Sequence, residues 1–266
     1  IKYKQFGGNE IFLKDDIEKF HNSLEKIEEI NKLIEPLFND KVFELNKNKF
    51  NFQNTLEEII FNKFEGQIDT GEMMDALLSK AYKSNIRVIN NVSVESFEDI
   101  GPSVKVYTNQ FTISCNKLFI ATNGFSESII QEKVVPARAQ VLITKPIKNL
   151  KVIGTFHFQQ GYYYFRNIDD RILLGGGRNL DFHTENTNDF GVTDTIQSKL
   201  EQLLTDVILP QSNFEIEQRW SGIMGIGNKK TTITKQLSNN VYCGVRLGGM
   251  GVAIGTNVGS ELANLI

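Results

Sequence analysis

The end of the chain constrains its fold most strongly, because a buried strand there runs into a glycine cluster and then a helix. Residues 240–245 are apolar and rich in β-branched and aromatic side chains, which indicates a buried strand. Gly248, Gly249 and Gly251 follow, and apolar residues of 252–266 recur with helical spacing. Glycines let a ligand approach the backbone, and a helix start offers unpaired N–H groups. The pattern predicts a site for an electron-rich group such as a phosphate, a carboxylate or the carbonyl edge of a flavin.

The glycine cluster differs from the dinucleotide-binding fingerprint G-x-G-x-x-G. Residues 252–254 separate Gly251 from Gly255, which is one residue more than the fingerprint allows. Only enough chain for one helix follows, so no βαβ unit can be built after the cluster. Considered alone, the glycines are equally consistent with close packing of a helix on a sheet.

Composition excludes several classes of protein. The chain has 266 residues, 40% of them hydrophobic, and a net charge of −3, with lysines interspersed among acidic residues. No nucleic-acid partner is therefore predicted. Cys115 and Cys243 lie in separate apolar runs, and His21, His157 and His183 lack metal-ligand spacing, so we predict neither a disulfide nor a metal site. Without a long apolar stretch or a signal peptide, a cytoplasmic protein is expected, and its oligomeric state stays open.

The first residues of the chain have the pattern of strands. Residue 1 is Ile, and residues 1–8 and 10–13 have the pattern of two hairpin strands rather than of a polar tail. We therefore expect the sequence to be a fragment of a longer one. A helix is predicted over 17–37, and residues 39–64, which show no clean period, are expected to form an irregular, lid-like segment.

A second helix and several short strands are predicted between residues 65 and 126. Asp69 or Thr70 can cap a helix that runs to about Lys83. Short strands follow, the first of them at 86–89, and a buried strand over 117–121 runs into a Thr-Asn-Gly turn. These elements together predict one α/β layer.

This order of elements resembles the FAD-dependent oxidoreductases of the D-amino-acid oxidase and glycine oxidase family. The resemblance begins with a G-x-I-D turn at 66–69 and the A-T/S-G turn at 121–124, which here carries an inserted Asn. A strand like P-x-R-G-Q occupies 136–140, and a hairpin like Y-x-R…D-x-R-L-L-x-G-G occupies 161–178. The glycine cluster at 248–251 resembles the closing flavin-binding turn of the family.

The resemblance implies an incomplete, glutathione-reductase-like FAD-binding layer of α/β type, interleaved with an antiparallel-sheet substrate domain of α+β type. Residues 66–136 and 240–266 would form the FAD-binding part, and residues 1–65 and 137–239 the substrate domain. The strand at 241–245 should then lie beside the strand at 118–121. The family's N-terminal βαβ unit with its G-x-G-x-x-G loop has no counterpart in the sequence, so FAD binding by this chain alone is expected to be weak or absent.

The resemblance also implies which residues bind FAD. They are Val94, whose backbone would hold the adenine, and the turn residues Thr122, Asn123, Gly124, Gly248, Gly249, Met250, Gly251 and Val252. The helix start at the closing turn would face the pyrimidine edge of the flavin. There it would stabilise the negative charge that develops on reduction.

The reaction implied by the resemblance is oxidation of a C–N bond of an amine or amino acid by hydride transfer to FAD. An amino-acid substrate needs a carboxylate clamp, for which arginine is the natural residue. Met224 and Gly249 occupy the positions of the family's two substrate arginines, which puts the usual clamp in doubt. Tyr163 matches the family's substrate-lining tyrosine best. The residues that line the substrate or replace the clamp are expected among Tyr163, Tyr164, Arg166, Met224, Arg178 and Arg246.

Two other functions stay open at this point. A truncated or inactive flavoprotein fragment, acting at most as a binding module, would carry the same motifs. An NAD-dependent dehydrogenase is disfavoured, because it needs the phosphate-binding loop that these residues lack. A strand with G-x-G-x-x-G upstream of Ile1 would favour the complete oxidoreductase.

Overall fold

The computed structural model describes residues 1–266, which form two compact units. The first unit comprises Ile1–Met73, Ala139–Phe182 and Gly191–Ser221, and the second comprises Met74–Arg138, His183–Phe190 and Gly222–Ile266. Both units are thus built from separate stretches of the chain. The predicted division at residues 66, 137 and 240 into FAD-binding and substrate-domain parts stays a prediction.

Sixteen strands and five helices make up the regular structure. The strands are β1 (Tyr3–Lys4), β2 (Gly8–Ile11), β3 (Phe43–Lys47), β4 (Glu58–Asn62), β5 (Gln67–Ile68), β6 (Val94–Asp99), β7 (Val104–Thr108), β8 (Thr112–Cys115), β9 (Leu118–Ile120), β10 (Val135–Thr144), β11 (Thr155–Phe158), β12 (Tyr163–Ile168), β13 (Arg171–Gly176), β14 (Ile216–Ile226), β15 (Ile233–Ser238) and β16 (Val241–Val245). The helices are α1 (Ile17–Phe38), α2 (Thr70–Lys83), α3 (Phe182–Glu185), α4 (Asp194–Leu203) and α5 (Gly251–Ala263). None of the helices combines the length and apolarity needed to cross a bilayer.

An eight-stranded mixed sheet dominates the first unit, in the order β14-β10-β13-β12-β11-β2-β4-β3. β2 and β11 pair in parallel, whereas β10, β11, β12 and β13 make antiparallel pairs. Because side chains alternate between the faces of a strand, one face carries Phe156, Phe165 and Leu174 into the core. The core also contains Leu200 of α4 and Leu204 just after it, so that helix covers the face. On the opposite face, Phe20 of α1 packs against Phe12 and Ile60.

The N-terminal half of the first unit differs from the expectation in two respects. Residues 39–64 contain β3 and β4, which pair over 43–47 and 58–62, so the prediction of an irregular segment was wrong. β3 is an edge strand with mostly exposed side chains, and it therefore lacks the apolar alternation that reveals a strand. The two N-terminal strands do not form a hairpin: β1 pairs with β5, and β2 pairs with β4 and β11.

The second unit contains two three-stranded sheets. In one, the order is β15-β16-β9, and β16 pairs in parallel with β9, which confirms that the strand at 241–245 lies beside the one at 118–121. All five residues of β16 are buried. β15 joins this sheet as the antiparallel hairpin partner of β16, and both strands lie within the stretch Gly222–Ile266 of this unit. The other sheet is the antiparallel meander β6-β7-β8.

Two apolar segments of the second unit lack a partner. The strand predicted at 86–89 is not formed, because no strand of the chain pairs with these residues. The predicted helix is present as α2, but it buries none of its residues, and Met74 and Leu77 are 51% and 50% exposed. The apolar patterns of both segments thus have no complementary surface within the second unit.

Asp99 links the two sheets of the second unit. Its carboxylate accepts hydrogen bonds from Ser238 Oγ at 2.6 Å and from the backbone N–H of Asn240 at 2.9 Å. The Nδ2 group of Asn240 donates to the same carboxylate at 3.1 Å. These donors hold the pKa of Asp99 at about 2, below its ordinary value of 3.8, because they favour the charged form.

This lowered pKa predicts a contribution to stability that depends on pH. Because the folded pKa lies below the unfolded one, the stabilisation is complete above pH 3.8 and is lost as the pH falls through about 2. Asp99→Asn should therefore lose less free energy of unfolding over that interval than the unsubstituted protein. Urea titrations at several pH values measure the difference, and equal losses in both proteins would contradict the prediction.

Candidate cofactor and substrate sites

The closing turn lies at the carboxyl end of β16, beside the end of β9. Because these two strands are parallel, the turns that follow them meet at one edge of the sheet. The backbone N–H of Leu247 donates to Oδ1 of Asn123 at 3.0 Å. The N–H of Gly248 donates to the carbonyl oxygen of Gly225 at 2.9 Å, so three chain segments are fastened together here.

Two glycines of this cluster are required by close backbone contacts. A Cβ at Gly124 would lie 2.8 Å from the carbonyl oxygen of Met224. A Cβ at Gly225 would lie 2.6 Å from Oδ1 of Asn123. Asn123 itself has a φ of 47°, in the left-handed region that asparagine tolerates better than most residues. The side chain of the inserted Asn123 thus links the Thr-Asn-Gly turn to the closing turn through its hydrogen bond from Leu247.

The other glycines of the turn face open space. A Cβ at Gly248 would have no neighbour within 4 Å, and one at Gly251 would lie 3.7 Å from the nearest atom, on Leu247. No acceptor within the chain pairs with the backbone N–H groups of Gly249, Gly251 and Val252. No side chain caps α5, whose N-cap residue is Met250. The helix therefore presents free donors and the positive end of its dipole at an open backbone.

The structure thus brings together most of the predicted cofactor-binding residues. Asn123, Gly124 and the closing turn at 248–252 form one cluster in the second unit, together with Met224, which was expected at the substrate. Thr122 begins the same short turn, and its carbonyl oxygen accepts the N–H of Phe125 at 2.9 Å. Val94, by contrast, lies in β6 of the other sheet, where it pairs with Thr108 and is 40% exposed.

In the first unit, the neighbouring residues Tyr163 and Tyr164 point to opposite faces of β12. Tyr163 is 1% exposed, and its ring stacks on Phe158 in the core with a centroid distance of 5.2 Å. Its side chain thus packs in the core, and its role in lining the substrate stays a prediction. Tyr164 points to the opposite face of the sheet, where its ring lies over Gly175. The motif match does not tell which of the two tyrosines faces the core. The alternation of burial along β12 does, because Tyr163 and Phe165 are buried and Tyr164 between them is exposed.

The candidate arginines have different surroundings. Nη1 of Arg166 donates to the carbonyl oxygen of Ile68 at 2.7 Å, and no other hydrogen bond of its guanidinium is formed within the chain. Arg166 also lines a cavity of about 130 Å³ that Lys2 and Asp69 border. Arg178 lies over the ring of Phe182 at 4.8 Å. Arg246 donates through Nε to the carbonyl oxygen of Thr231 at 2.8 Å, which is a structural role.

Three ionisable residues that the sequence did not single out lie on the same sheet face as Tyr164. His157 of β11 is the register partner of both Tyr164 and Glu10. The carboxylate of Glu65 lies against Gly8, where it leaves no room for a Cβ. In β11, the position of His157 between two buried phenylalanines is the signal that would have found it, whereas Glu10 follows the polar residue Asn9 and gives no such signal.

Burial shifts the pKa values of all three groups. It raises the pKa values of Glu10 and Glu65, because it disfavours the charged carboxylate. It lowers the pKa of His157 for the same reason, although the charge of Glu65 opposes this effect. No hydrogen bond or ion pair within the chain satisfies any of the three side chains. Perturbed, unpartnered groups of this kind are typical of functional sites.

Parallel strands that end in glycine turns, beside a helix start with free N–H groups, are the architecture by which α/β proteins bind nucleotide-type cofactors. A family model described as FAD dependent oxidoreductase (DAO) matches residues 13–265. The chain belongs to this family of FAD-dependent oxidoreductases. No curated protein matches the sequence significantly.

Solved structures share the fold at low sequence identity. L-proline dehydrogenase from P. horikoshii is 19% identical with a TM-score of 0.78, and the match covers 99% of this chain and 72% of that chain. Glycine oxidase from Bacillus cereus ATCC 14579 is 15% identical, with a TM-score of 0.79 and coverage of 100% and 73%. Glycine oxidase from Geobacillus kaustophilus is 13% identical, with a TM-score of 0.80 and coverage of 100% and 71%.

The closing turn has the features that a flavin requires. Its glycines leave the backbone accessible, and the free N–H groups of Gly249, Gly251 and Val252 suit a carbonyl or an anionic edge. No carboxylate is hydrogen-bonded to these donors, so they stay available to a ligand. The residues present at this turn therefore fit the cofactor of the family.

Proposed function

We propose that this chain forms part of a flavin-dependent enzyme that oxidises a C–N bond of an amine or amino acid. FAD, when bound, supplies the hydride acceptor. The observation that carries the proposal is the open closing turn with its three free N–H donors at the start of α5. The turn that contains Asn123 adjoins it, and no side chain caps α5, so a ligand at this turn can reach the donors.

Each unit has a proposed role. In the second unit, the N–H groups of Gly251 and Val252 would bind the pyrimidine edge of the flavin, and residues 122–124 would approach the pyrophosphate. Val94 is proposed to hold the adenine through its backbone. In the first unit, Tyr164 and Arg166 are proposed to orient the substrate, since both lie on the sheet face that is not covered by α4.

Arg166 is the proposed partner of a substrate carboxylate. Four of its five N–H donors make no hydrogen bond within the chain, and it lines a cavity. The bond from Nη1 to the carbonyl oxygen of Ile68 anchors one end of the guanidinium and leaves Nε and Nη2 without a partner in the chain. The planar guanidinium can donate two parallel hydrogen bonds to a carboxylate, which the ammonium group of a lysine cannot.

The experiment that tests the function uses the natural protein that contains this sequence. We expect it to bind FAD, and we expect the flavin to be bleached without oxygen by at least one compound in a panel of amines and amino acids. The matched hydroxy compounds should leave the flavin oxidised. A protein that binds FAD but is reduced by no amine or amino acid would instead support the alternative of a binding module.

A related prediction concerns the polypeptide of residues 1–266 alone. We expect it to fold but to be colourless after gel filtration and to have no oxidase activity. The reason is that residues 1–266 contain no G-x-G-x-x-G loop, which supplies the donors for the pyrophosphate and with them a large share of the affinity. Stoichiometric flavin absorbance in the protein peak would contradict this prediction.

A further inference from the structure

A cleft of about 490 Å³ lies beside β2, β3 and β4 in the first unit, and the proposed function does not use it. Its volume falls in the range of small-molecule sites, about 300–1,000 Å³. Three phenylalanines, Phe6, Phe50 and Phe61, line it. The ring of Phe50 packs edge-on against Phe156 at a centroid distance of 4.8 Å. The ring of Phe61 lies against the backbone of Gly7. These contacts hold two aromatic walls in place, so the cleft offers a pre-formed surface to an apolar ring.

The charged residues that line this cleft are all lysines, namely Lys47, Lys49 and Lys151. None of them forms an ion pair within the chain, and Glu58, the register partner of Lys47 across β3 and β4, is not within ion-pair distance of it. Nζ of Lys49 lies 5.8 Å from the ring centroid of Phe50, a contact that leaves its charge unneutralised. The net charge of the chain is −3, so three cations without a carboxylate are a local excess of positive charge. Such an excess favours an anionic ligand.

Asn9 adds a buried hydrogen-bond acceptor to the lining. It is 3% exposed, and its Nδ2 donates to the carbonyl oxygen of Thr155 at 3.1 Å. Because a carbonyl oxygen can only accept, this bond fixes which end of the amide is the nitrogen. Oδ1 of Asn9 accepts no hydrogen bond within the chain. A buried acceptor without a donor costs stability, so folding alone gives no reason for it, whereas a ligand with an N–H or O–H group would satisfy it.

We propose that this cleft binds an aromatic carboxylate whose ring carries a hydrogen-bond donor, as an indole or a phenol does. The ring packs on the phenylalanines, the carboxylate faces the lysines, and the ring donor pairs with Oδ1 of Asn9. Asn9 is buried and the lysines are exposed, so the donor and the carboxylate belong at opposite ends of the ligand. The inference goes beyond the proposed function and does not rest on it, since Arg166 lines a different cavity.

The first experiment compares three probes by calorimetric titration of the natural protein. We expect indole-3-acetate to bind saturably at one site per chain. Naphthalene-1-acetate, which lacks the ring donor, should bind about fivefold more weakly, the usual effect of one hydrogen bond between neutral groups. Indole-3-acetamide, which lacks the charge, should bind about tenfold more weakly. No saturable binding of indole-3-acetate, or equal affinity for all three probes, would overturn the proposal.

Charge-removing variants show whether the probe binds in this cleft. The triple variant with Lys47→Gln, Lys49→Gln and Lys151→Gln should bind indole-3-acetate about tenfold more weakly and indole-3-acetamide as before. The matched control makes the same change of net charge at three exposed lysines without ion pairs, on and just before α1, which lies on the opposite face of the sheet: Lys14→Gln, Lys26→Gln and Lys32→Gln. Equal affinity of both triple variants for indole-3-acetate would show that it binds elsewhere and would overturn the proposal.

Asn9→Leu tests the buried acceptor. It should remove the preference for indole-3-acetate over naphthalene-1-acetate while naphthalene-1-acetate still binds, which also shows that the variant is folded. An undiminished preference would contradict the assignment of Asn9. If Asn9→Leu does not fold, the comparison of the two probes on the unsubstituted protein decides, because it measures the same hydrogen bond. None of these measurements depends on flavin or on amine oxidation, so failure of the proposed function would leave the outcome for this cleft unaffected.

Discussion

Arg138→Met is expected to lower the free energy of unfolding by about 3–5 kcal/mol, because it leaves a buried carboxylate without its partner. Arg138 is 8% exposed and Glu185 only 1%. Nε and Nη2 of Arg138 donate to the two carboxylate oxygens of Glu185 at 3.0 and 2.9 Å, which is a bidentate pair. Nη1 also donates to the carbonyl oxygen of Asp189 at 3.4 Å, so the pair holds the segment His183–Phe190 within the second unit.

Urea unfolding of the natural protein measures this effect, and two variants serve as controls. Lys145→Met breaks the exposed pair with Glu215 and should change stability far less, since solvent screens that pair. The double variant with Arg138→Met and Glu185→Leu removes both charges and should recover much of the loss. A loss no larger than that of Lys145→Met would contradict the prediction.

The contacts of Arg138 and Gln140 give the motif that resembles P-x-R-G-Q a structural role. In the strand that resembles P-x-R-G-Q, Arg138 is held by Glu185, and Gln140 is buried as well. Oε1 of Gln140 accepts the N–H of Thr193 at 2.9 Å and Nε2 of Gln197 at 3.2 Å. The polar residues of that motif fasten β10 to neighbouring segments, so their part in the fold is structural.

The fold elements that could be predicted from the sequence are those whose signal is local. β9 and β16 are short, continuous apolar runs, and the glycines after β16 mark where the strand ends and α5 begins. The pairing of these two strands followed from the resemblance, since apolar runs alone do not specify their neighbours. β3 was missed because its side chains are mostly exposed at the sheet edge. The strand predicted at 86–89 was wrong, because a strand forms only beside a partner and none pairs with these residues.

The residues of the candidate site also divide into those with a local signal in the sequence and those that depend on the assembled fold. Backbone features such as the open glycine turn are visible in the sequence, because glycine is chosen for its backbone. The pairing of Glu10 with His157 and the approach of Glu65 to Gly8 depend on strand register and on contacts between distant segments. A single histidine or glutamate carries no such information until the sheet is assembled.

Gly251→Val is expected to weaken FAD binding about a hundredfold while leaving the fold intact. A Cβ at Gly251 would lie 3.7 Å from the nearest atom, an ordinary contact, so the side chain should not disturb the packing. It would, however, stand beside the free N–H groups of Gly251 and Val252, where the flavin edge is proposed to bind. Loss of oriented donors where charge develops commonly costs about 3 kcal/mol, which corresponds to the hundredfold change.

Three measurements on the natural protein separate a cofactor site from a packing role for this glycine. The dissociation constant of FAD should rise, the reduction potential of any flavin that remains bound should fall, and the melting temperature without flavin should stay the same. Gly259→Val provides the matched control, because Gly259 also lies in α5 with nothing within 4 Å of its Cβ position but is two turns away from the free donors. If Gly251→Val lowers the melting temperature and leaves flavin content and potential unchanged, the glycine serves helix packing and the flavin does not bind at this turn.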